Sequence, residues 1–341
     1  MRVGIVGTGA FAWKHAQAYK NIGYHLTACT NTTASRGRAF AEANGAEFIE
    51  TVGELCQSPR VDFIDVCALP SYRLPVVALC ARSGKHVLVQ KPMAIDLDTA
   101  RQMILLARSA GIQLGVVSQR RFDKATSFLR QAITDGRLGR ILQADAYVKW
   151  YRTSEYYSRP IKGSWAGEGG GALINQAIHQ VDLLLYLVGA VDEVFAYWQL
   201  GALHKIESED SLSALLRYSS GAIGVLQAST ALWPGYPERV EIHGTKGTAV
   251  LAGDQLTAWD VRNDFGDAAP IASRVASGSS DPMAISLVSL EQQLLDFGNS
   301  CTTGRTPSCS GVDGYRALQL VQSIYKSCRE GTKVELIPEV F

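Results

Sequence analysis

The sequence predicts an α/β protein in two parts: a doubly wound parallel sheet over residues 1–120, then a domain over residues 121–341 built on an antiparallel or mixed sheet. Three observations carry that reading. A short apolar strand, Arg2–Val6, turns through Gly7-Thr8-Gly9-Ala10-Phe11-Ala12 into a helical pattern. Strands and helices then alternate as far as Val117. Beyond Phe122 the alternation gives way to successive strands joined by hairpin signals.

In the first part, strands are expected at Arg2–Val6, Tyr24–Thr30, Phe63–Cys67, His86–Val89 and Leu114–Val117. Each is a short apolar run, as strands covered on both faces should be. Helices are expected near Phe11–Asn21, Ser35–Asn44, Val52–Gln57, Leu74–Ser83 and Leu97–Ala110. In the second part a helix over Lys124–Asp135 precedes a strand over Leu142–Tyr151. A polar-aromatic stretch without periodicity, Arg152–Gly171, leads into a long helix, Leu173–Val188. Strands follow at Val194–Leu200, Asp210–Tyr218, Ala222–Thr230, Arg239–Gly244, Ala249–Ala252 and Leu256–Trp259. Their turns are written Ser219-Ser220-Gly221, Gly244-Thr245-Lys246-Gly247 and Gly253-Asp254. Helices near Leu287–Cys301 and Gly314–Glu330 close the chain, and the domain boundary falls near residues 118–123.

Composition narrows the function classes. The 341 residues are 47% hydrophobic and 19% charged, with a net charge of +1. Nucleic acid and anionic membranes call for clustered basic residues, so neither is expected as a partner. No apolar run reaches the roughly 18 residues of a membrane span, and no signal peptide is expected. The seven cysteines include no CxxC pair, which reads as reduced thiols in a cytoplasmic protein and as no metal site. Most are expected to be small core residues, although Cys301 and Cys309 lie in a polar stretch and could be exposed.

The opening turn has the form GxGxxA and cradles a dinucleotide pyrophosphate when it links a buried strand to a helix. Gly7 permits the turn, Gly9 lets backbone approach the phosphate, Ala12 packs the helix on the strand, and the helix N-terminus at Ala10 and Phe11 faces negative charge. Lys91 follows the strand His86–Val89, in Gln90-Lys91-Pro92, where a ligand crevice is expected. There it can hydrogen-bond a substrate oxygen and act as general acid or base; the plainer alternative is a solvated loop lysine. Asn175 and His179, four apart on the expected helix, share a face behind the run Gly169-Gly170-Gly171. The glycines would let backbone approach a ligand, and a histidine suits proton transfer to an oxygen. The alternative is a histidine satisfied within a core.

These segments identify a resemblance. Gly7–Ala12, Gly84-Lys85-His86-Val87-Leu88-Val89-Gln90-Lys91-Pro92, Gln119-Arg120-Arg121-Phe122, Gly169–His179 and Gly244–Gly247 resemble, in order and spacing, the Gfo/Idh/MocA oxidoreductases. The resemblance covers essentially the whole chain. It implies an N-terminal Rossmann domain and a C-terminal α+β domain with a large open-faced, mostly antiparallel sheet. It also implies NAD(P)-dependent chemistry on sugars, cyclitols or related polyols. Lys91 matches the lysine of the family's Glu-Lys-Pro motif and His179 its catalytic histidine. Gln119 and Trp165 fall in segments that border nicotinamide or substrate in relatives, and Pro70 lies in the segment at the cofactor edge. Three departures stand out. Gln90 replaces the usual glutamate, Asn175 an aspartate, and Leu74 a histidine. Asn175 can orient a hydroxyl but cannot take a proton, so Lys91 or His179 would manage it.

The expected reaction is hydride transfer between nicotinamide and a secondary alcohol or ketone, with Lys91 and His179 bracketing the substrate oxygen. The expected cofactor is NADP or NAD. Strand two ends at Asn31 without an acid to hold ribose hydroxyls, and Thr32, Thr33, Ser35 and Arg36 favour a 2′-phosphate, which leans towards NADP. Arg121, Trp150, Tyr151, Tyr156, Tyr157, Trp165, Trp233 and Tyr236 are substrate-pocket candidates, although the aromatics could equally cover a core. Rival readings are a hydrolase that retains NAD for transient oxidation and a non-catalytic cofactor-binding regulator. Apolar residues on Val194–Leu200 and Ala222–Thr230 point to a homodimer or homotetramer through the sheet.

Overall fold

The computed structural model describes residues 1–341 except 160, 265, 273–276, 278 and 280–286. The chain divides into two compact units. The first holds residues 1–119, 287–315 and Phe341; the second holds 120–286 and 316–340.

The first unit opens with β1 (Arg2–Val6), α1 (Ala10–Asn21), β2 (His25–Thr30), α2 (Ala34–Asn44), β3 (Glu47–Phe48), α3 (Val52–Gln57) and β4 (Phe63–Val66). It continues with α4 (Arg73–Arg82), β5 (His86–Val89), α5 (Leu97–Ser109) and β6 (Leu114–Val116). The six strands lie in the order β3-β2-β1-β4-β5-β6, all parallel. The direction of winding reverses between β1 and β4, so ligands belong beyond the carboxyl ends of those strands. β4 is buried at every position, as its apolar run predicts. Local sequence sets the helix starts. Thr51 and Glu54 form a reciprocal capping box on α3, and the Asp96 carboxylate accepts the Thr99 N–H at the start of α5. The two-residue strand β3 is too short to show a period, and only its pairing with β2 reveals it.

The second unit begins with α6 (Lys124–Thr134), β7 (Ile141–Lys149) and a short α7 (Trp165–Glu168). The expected helix over Leu173–Val188 divides into a π-helical turn, Leu173–Ala177, and α8, Ile178–Leu187. Then come β8 (Val191–Leu200), β9 (Glu209–Tyr218), β10 (Ile223–Ser229), β11 (Arg239–Gly244), β12 (Gly247–Ala252) and β13 (Gln255–Val261). The chain ends with α9 (Leu287–Thr303), α10 (Gly311–Glu330) and β14 (Val334–Glu335). The eight-stranded sheet runs β13-β12-β11-β7-β10-β9-β8-β14. Its pairs are antiparallel except β7 with β10, so the sheet is mixed but mostly antiparallel.

The division differs from a simple cut near residue 120. Leu290, Leu294 and Phe297 of α9 join the core of Val3, Ile5, Tyr19, Phe63 and Leu88. Their apolar face is completed only against strands more than 200 residues earlier, which no local pattern announces. Of the two cysteines whose exposure the sequence left open, Cys309 is buried and Cys301 is half-buried. Among the described residues no helix is long and apolar enough to cross a membrane.

Candidate active site

In the first unit the glycine turn follows β1 directly. Gly7 takes φ +88° and donates its N–H to the Thr30 carbonyl at 2.9 Å. A Cβ there would lie 2.9 Å from the Ala68 nitrogen, so both conformation and space require glycine. Gly9 caps α1 with no side-chain hydrogen bond, and a Cβ added to it would meet nothing within 4 Å. The protein leaves that approach clear and the first N–H groups of α1 without a side-chain cap. Ala12 is fully buried against the core and Phe11 is exposed.

Among the described residues, two buried side-chain oxygens in this unit have no hydrogen-bond partner: Thr8 Oγ1 in the glycine turn and Gln119 Oε1. Buried polar groups are ordinarily satisfied, so both positions fit a polar ligand. Asn31, at the end of β2, accepts the Thr8 N–H at 3.3 Å and donates to the Thr33 carbonyl at 3.0 Å. It thereby ties the turn to the neighbouring loop. Thr32, Thr33 and Arg36 are exposed beside it.

β5 delivers Gln90, Lys91 and Pro92 to the same carboxyl edge, with a cis bond between Lys91 and Pro92. Buried Arg73 donates to the carbonyls of Gln90 and Pro92, and to that of Ala68 at 3.0 Å. Burial, the largest influence, lowers the pKa of this guanidinium, while Cys67 and Asp65 nearby oppose the shift. Pro70 is buried at the start of a 3-10 turn, Pro70–Tyr72. Gln90 is 5% exposed and Lys91 half-buried. Behind them lies a set of polar groups that motif reading missed. His15 Nδ1 is 2.6 Å from Asp65, Tyr19 donates to the same carboxylate at 2.7 Å, and Gln90 Nε2 is 2.7 Å from His15 Nε2. The available signal was a lone aspartate in the apolar strand Phe63-Ile64-Asp65-Val66.

In the second unit, Asn175 sits in the π-helical turn and His179 in the first turn of α8. Single π turns recur at functional sites. Asn175 Nδ2 donates to the Gly170 carbonyl at 3.0 Å, to that of Gly171 at 3.2 Å, and to Glu168 at 3.4 Å. A carboxylate thus lies beside Asn175 after all, supplied by Glu168 rather than by position 175. Glu168 is buried, bonds Lys162 at 2.5 Å and accepts the Gly163 N–H at 3.0 Å. Burial works most strongly against the Lys162 ammonium, but Tyr156 and Glu168 together hold its pKa above the usual lysine value.

The glycine run has a different cause from the expected one. A Cβ on Gly170, at φ +147°, would strike the Tyr325 ring, and one on Gly171 would overlap the Glu209 carbonyl oxygen. Protein, not ligand, fills the space at those two positions. The Glu209 side chain accepts the N–H groups of Gly171 and Leu173 at 2.9 and 2.8 Å and the Tyr325 hydroxyl at 2.9 Å. Burial pushes its carboxyl up to about 7 despite those donors.

Arg121, expected to touch substrate, pairs with both oxygens of Asp182 at 2.8 and 2.5 Å and lies over the Tyr186 ring. Its charge is matched within the protein, and Asp182 binds Arg121 from the helix that carries His179. Tyr157 bonds Thr230 at 2.8 Å and packs on His204; burial raises its pKa. Trp165 packs with Trp198 and Tyr325 and donates to the Glu207 carbonyl at 3.2 Å. Tyr151 meets Trp233 edge to face, and Trp233 and Tyr236 are exposed. Trp150 is buried beneath the Arg152 guanidinium, which also reaches the Tyr156 ring.

The family model described as "Oxidoreductase family, NAD-binding Rossmann fold" matches residues 1–118, and that described as "GFO/IDH/MocA C-terminal domain" matches 127–250. A myo-inositol 2-dehydrogenase of Thermotoga maritima is 28% identical over 98% of both chains. A 1,5-anhydro-D-fructose reductase of Ensifer adhaerens is also 28% identical over 98% of both. The WlbA dehydrogenase of Bordetella pertussis, solved with NADH and UDP-GlcNAcA, superposes with a TM-score of 0.87 at 28% identity over 99% of both chains. The chain belongs to the Gfo/Idh/MocA family of oxidoreductases, with an NAD-binding Rossmann unit at its N-terminus.

Proposed function

We propose that this oxidoreductase transfers a hydride between nicotinamide and a secondary alcohol or ketone of a sugar, sugar derivative or cyclitol. The observation that carries the reading is the cleared turn at Gly9, with unpartnered Thr8 Oγ1 beside it, at the reversal point of a six-stranded parallel sheet. A nicotinamide dinucleotide bound there supplies the hydride acceptor or donor. Gly7 to Ala12 hold the pyrophosphate, Pro70 and Gln90 line the cofactor edge, and Gln119 and Trp165 border the nicotinamide or substrate. Lys91 stabilises an alkoxide as a cation and, with His179, manages the proton that accompanies hydride transfer. Asn175 orients a substrate hydroxyl from a position fixed by its bonds to Gly170, Gly171 and Glu168. Arg121 serves the substrate indirectly, by holding Asp182 and the helix of His179.

The absence of a carboxylate at Asn31 and the exposed Thr32, Thr33 and Arg36 support acceptance of NADP. The NADH bound to WlbA supports NAD. Competitive fluorescence titration with both reduced cofactors decides between them. A panel of sugars, sugar acids and cyclitols with both oxidised cofactors tests the activity, read as reduced-cofactor absorbance. Lys91→Ala should lose turnover while cofactor binding stays within threefold; near-normal turnover would remove Lys91 from the mechanism.

The chain's second unit also supports assembly as a homodimer or homotetramer. Tyr197, Leu215 and Ile223 are exposed, and the strand register sets Leu215 directly opposite Phe195 and Val225. These residues share one apolar face of the sheet. Sedimentation velocity of the wild type and of Leu215→Glu checks this, with dissociation expected in the variant.

A further inference from the structure

We propose that Asp65, His15 and Gln90 form a positioning relay that fixes which way the Gln90 amide points at the Lys91–Pro92 turn. The inference concerns a residue that departs from the family's usual glutamate. Its functional consequence, though not its chemistry, rests on the cofactor reading above.

Asp65 and His15 are completely buried and Gln90 nearly so. An ionised carboxylate only accepts hydrogen bonds. Asp65 therefore receives the Tyr19 hydroxyl at 2.7 Å, the Cys67 thiol at 3.7 Å and the His15 Nδ1–H at 2.6 Å. With its proton on Nδ1, a neutral imidazole offers only a lone pair at Nε2. The group facing that lone pair at 2.7 Å is the Gln90 NH2, the one donor the amide has. Its carbonyl Oε1 then turns to the Lys91 N–H at 3.3 Å. Donor and acceptor roles are thus set across three side chains, from a strand, through a helix, to the end of another strand. Arg73 is the nearby charge that opposes Asp65, and it also holds the Gln90 and Pro92 carbonyls.

The relay accounts for glutamine here. A glutamate at 90 would bring a carboxylate against the Nε2 lone pair. A glutamate there would need an added proton, either on its own carboxyl or on His15 as an imidazolium between two carboxylates. Glutamine needs none: its NH2 faces Nε2 and its Oε1 accepts the Lys91 N–H.

The direct test is long-range proton–nitrogen NMR of the full chain labelled at histidine nitrogen, with His15 assigned by loss of its signals in His15→Gln. The expected result is a neutral ring in the Nδ1–H tautomer at pH 8 in the wild type. An imidazolium or an Nε2–H tautomer at that pH overturns the relay. A second measurement reads its positioning role through NADH affinity. His15→Gln keeps one donor and one acceptor and should stay within about threefold of wild type, whereas His15→Phe should weaken binding at least tenfold. His15→Phe binding as tightly as wild type in a folded chain overturns the role. If the wild type binds no dinucleotide, the cofactor reading fails, and the tautomer still decides the relay.

Discussion

The chain carries two glycine-rich turns that open onto helices, and they are glycine-rich for opposite reasons. At Gly7-Thr8-Gly9 one glycine is needed for conformation and the other leaves empty space before a helix N-terminus. At Gly169-Gly170-Gly171 the space beside Gly170 and Gly171 is filled by Tyr325 and by the Glu209 main chain. The first turn is shaped for something that arrives; the second is shaped by the protein that surrounds it. A glycine run in a sequence therefore reports a close approach without saying what approaches. The two regions also differ in charge. The second is tied down by the buried pair Arg121–Asp182, by the half-buried pair Lys162–Glu168 and by Glu209, whereas no acidic side chain lies in the first turn of α1.

Substitutions can break this contrast, and the largest expected effect falls on the second region. Asp182→Ala removes the carboxylate paired with the buried Arg121 guanidinium and should destabilise the protein by about 3–5 kcal/mol in urea titrations. A loss below about 1 kcal/mol would mean that the pair does not hold the His179 helix. Gly171→Ala forces a methyl group against the Glu209 carbonyl and should cost about 1–3 kcal/mol, read as a lowered Tm. An unchanged Tm would show that the turn relaxes easily and that the two glycine runs are alike.

Glu209 gives a pH signature. Its folded pKa, about 7, lies above the ordinary carboxyl value of 4.5, so the folded state holds a proton that the unfolded chain has released between those values. The stability this group contributes is present at low pH and is lost as pH rises towards 7, by about 1 kcal/mol per pH unit. Denaturation midpoints at pH 5, 6, 7 and 8 should show that slope up to about pH 7 and its levelling by pH 8 in the wild type, and a flatter profile in Glu209→Gln. Equal slopes would assign it to another group. The smallest stability effect belongs to the first turn. Gly9→Ala, at φ −75° in open space, should change stability by less than about 0.5 kcal/mol. The same variant should weaken NADH binding at least tenfold, and unimpaired binding would detach the turn from the cofactor.

Much of this was legible beforehand because the deciding information is local. Buried parallel strands are short apolar runs, and the strand–glycine–helix order at residues 2–21 specifies its own turn. The π-helical turn at Leu173–Ala177 was not legible: its residues fit an α period equally well, and the Glu209 carboxylate that caps its start comes from a distant strand. Nor was the commitment of Arg121 to Asp182, since an arginine looks the same whether its partner is a substrate or a carboxylate 61 residues away.

By itself the sequence determined the order of the main strands and helices, the glycine turn after β1, and the family to which the chain belongs, since each rests on residue types and spacings a few positions apart. Only the tertiary structure decided which charges are matched inside the protein, why Gly170 and Gly171 lack side chains, and that residues 287–315 complete the first core. Those outcomes depend on which distant groups meet once water is excluded, and burial makes each unmatched charge or overlapping atom costly enough to settle the arrangement.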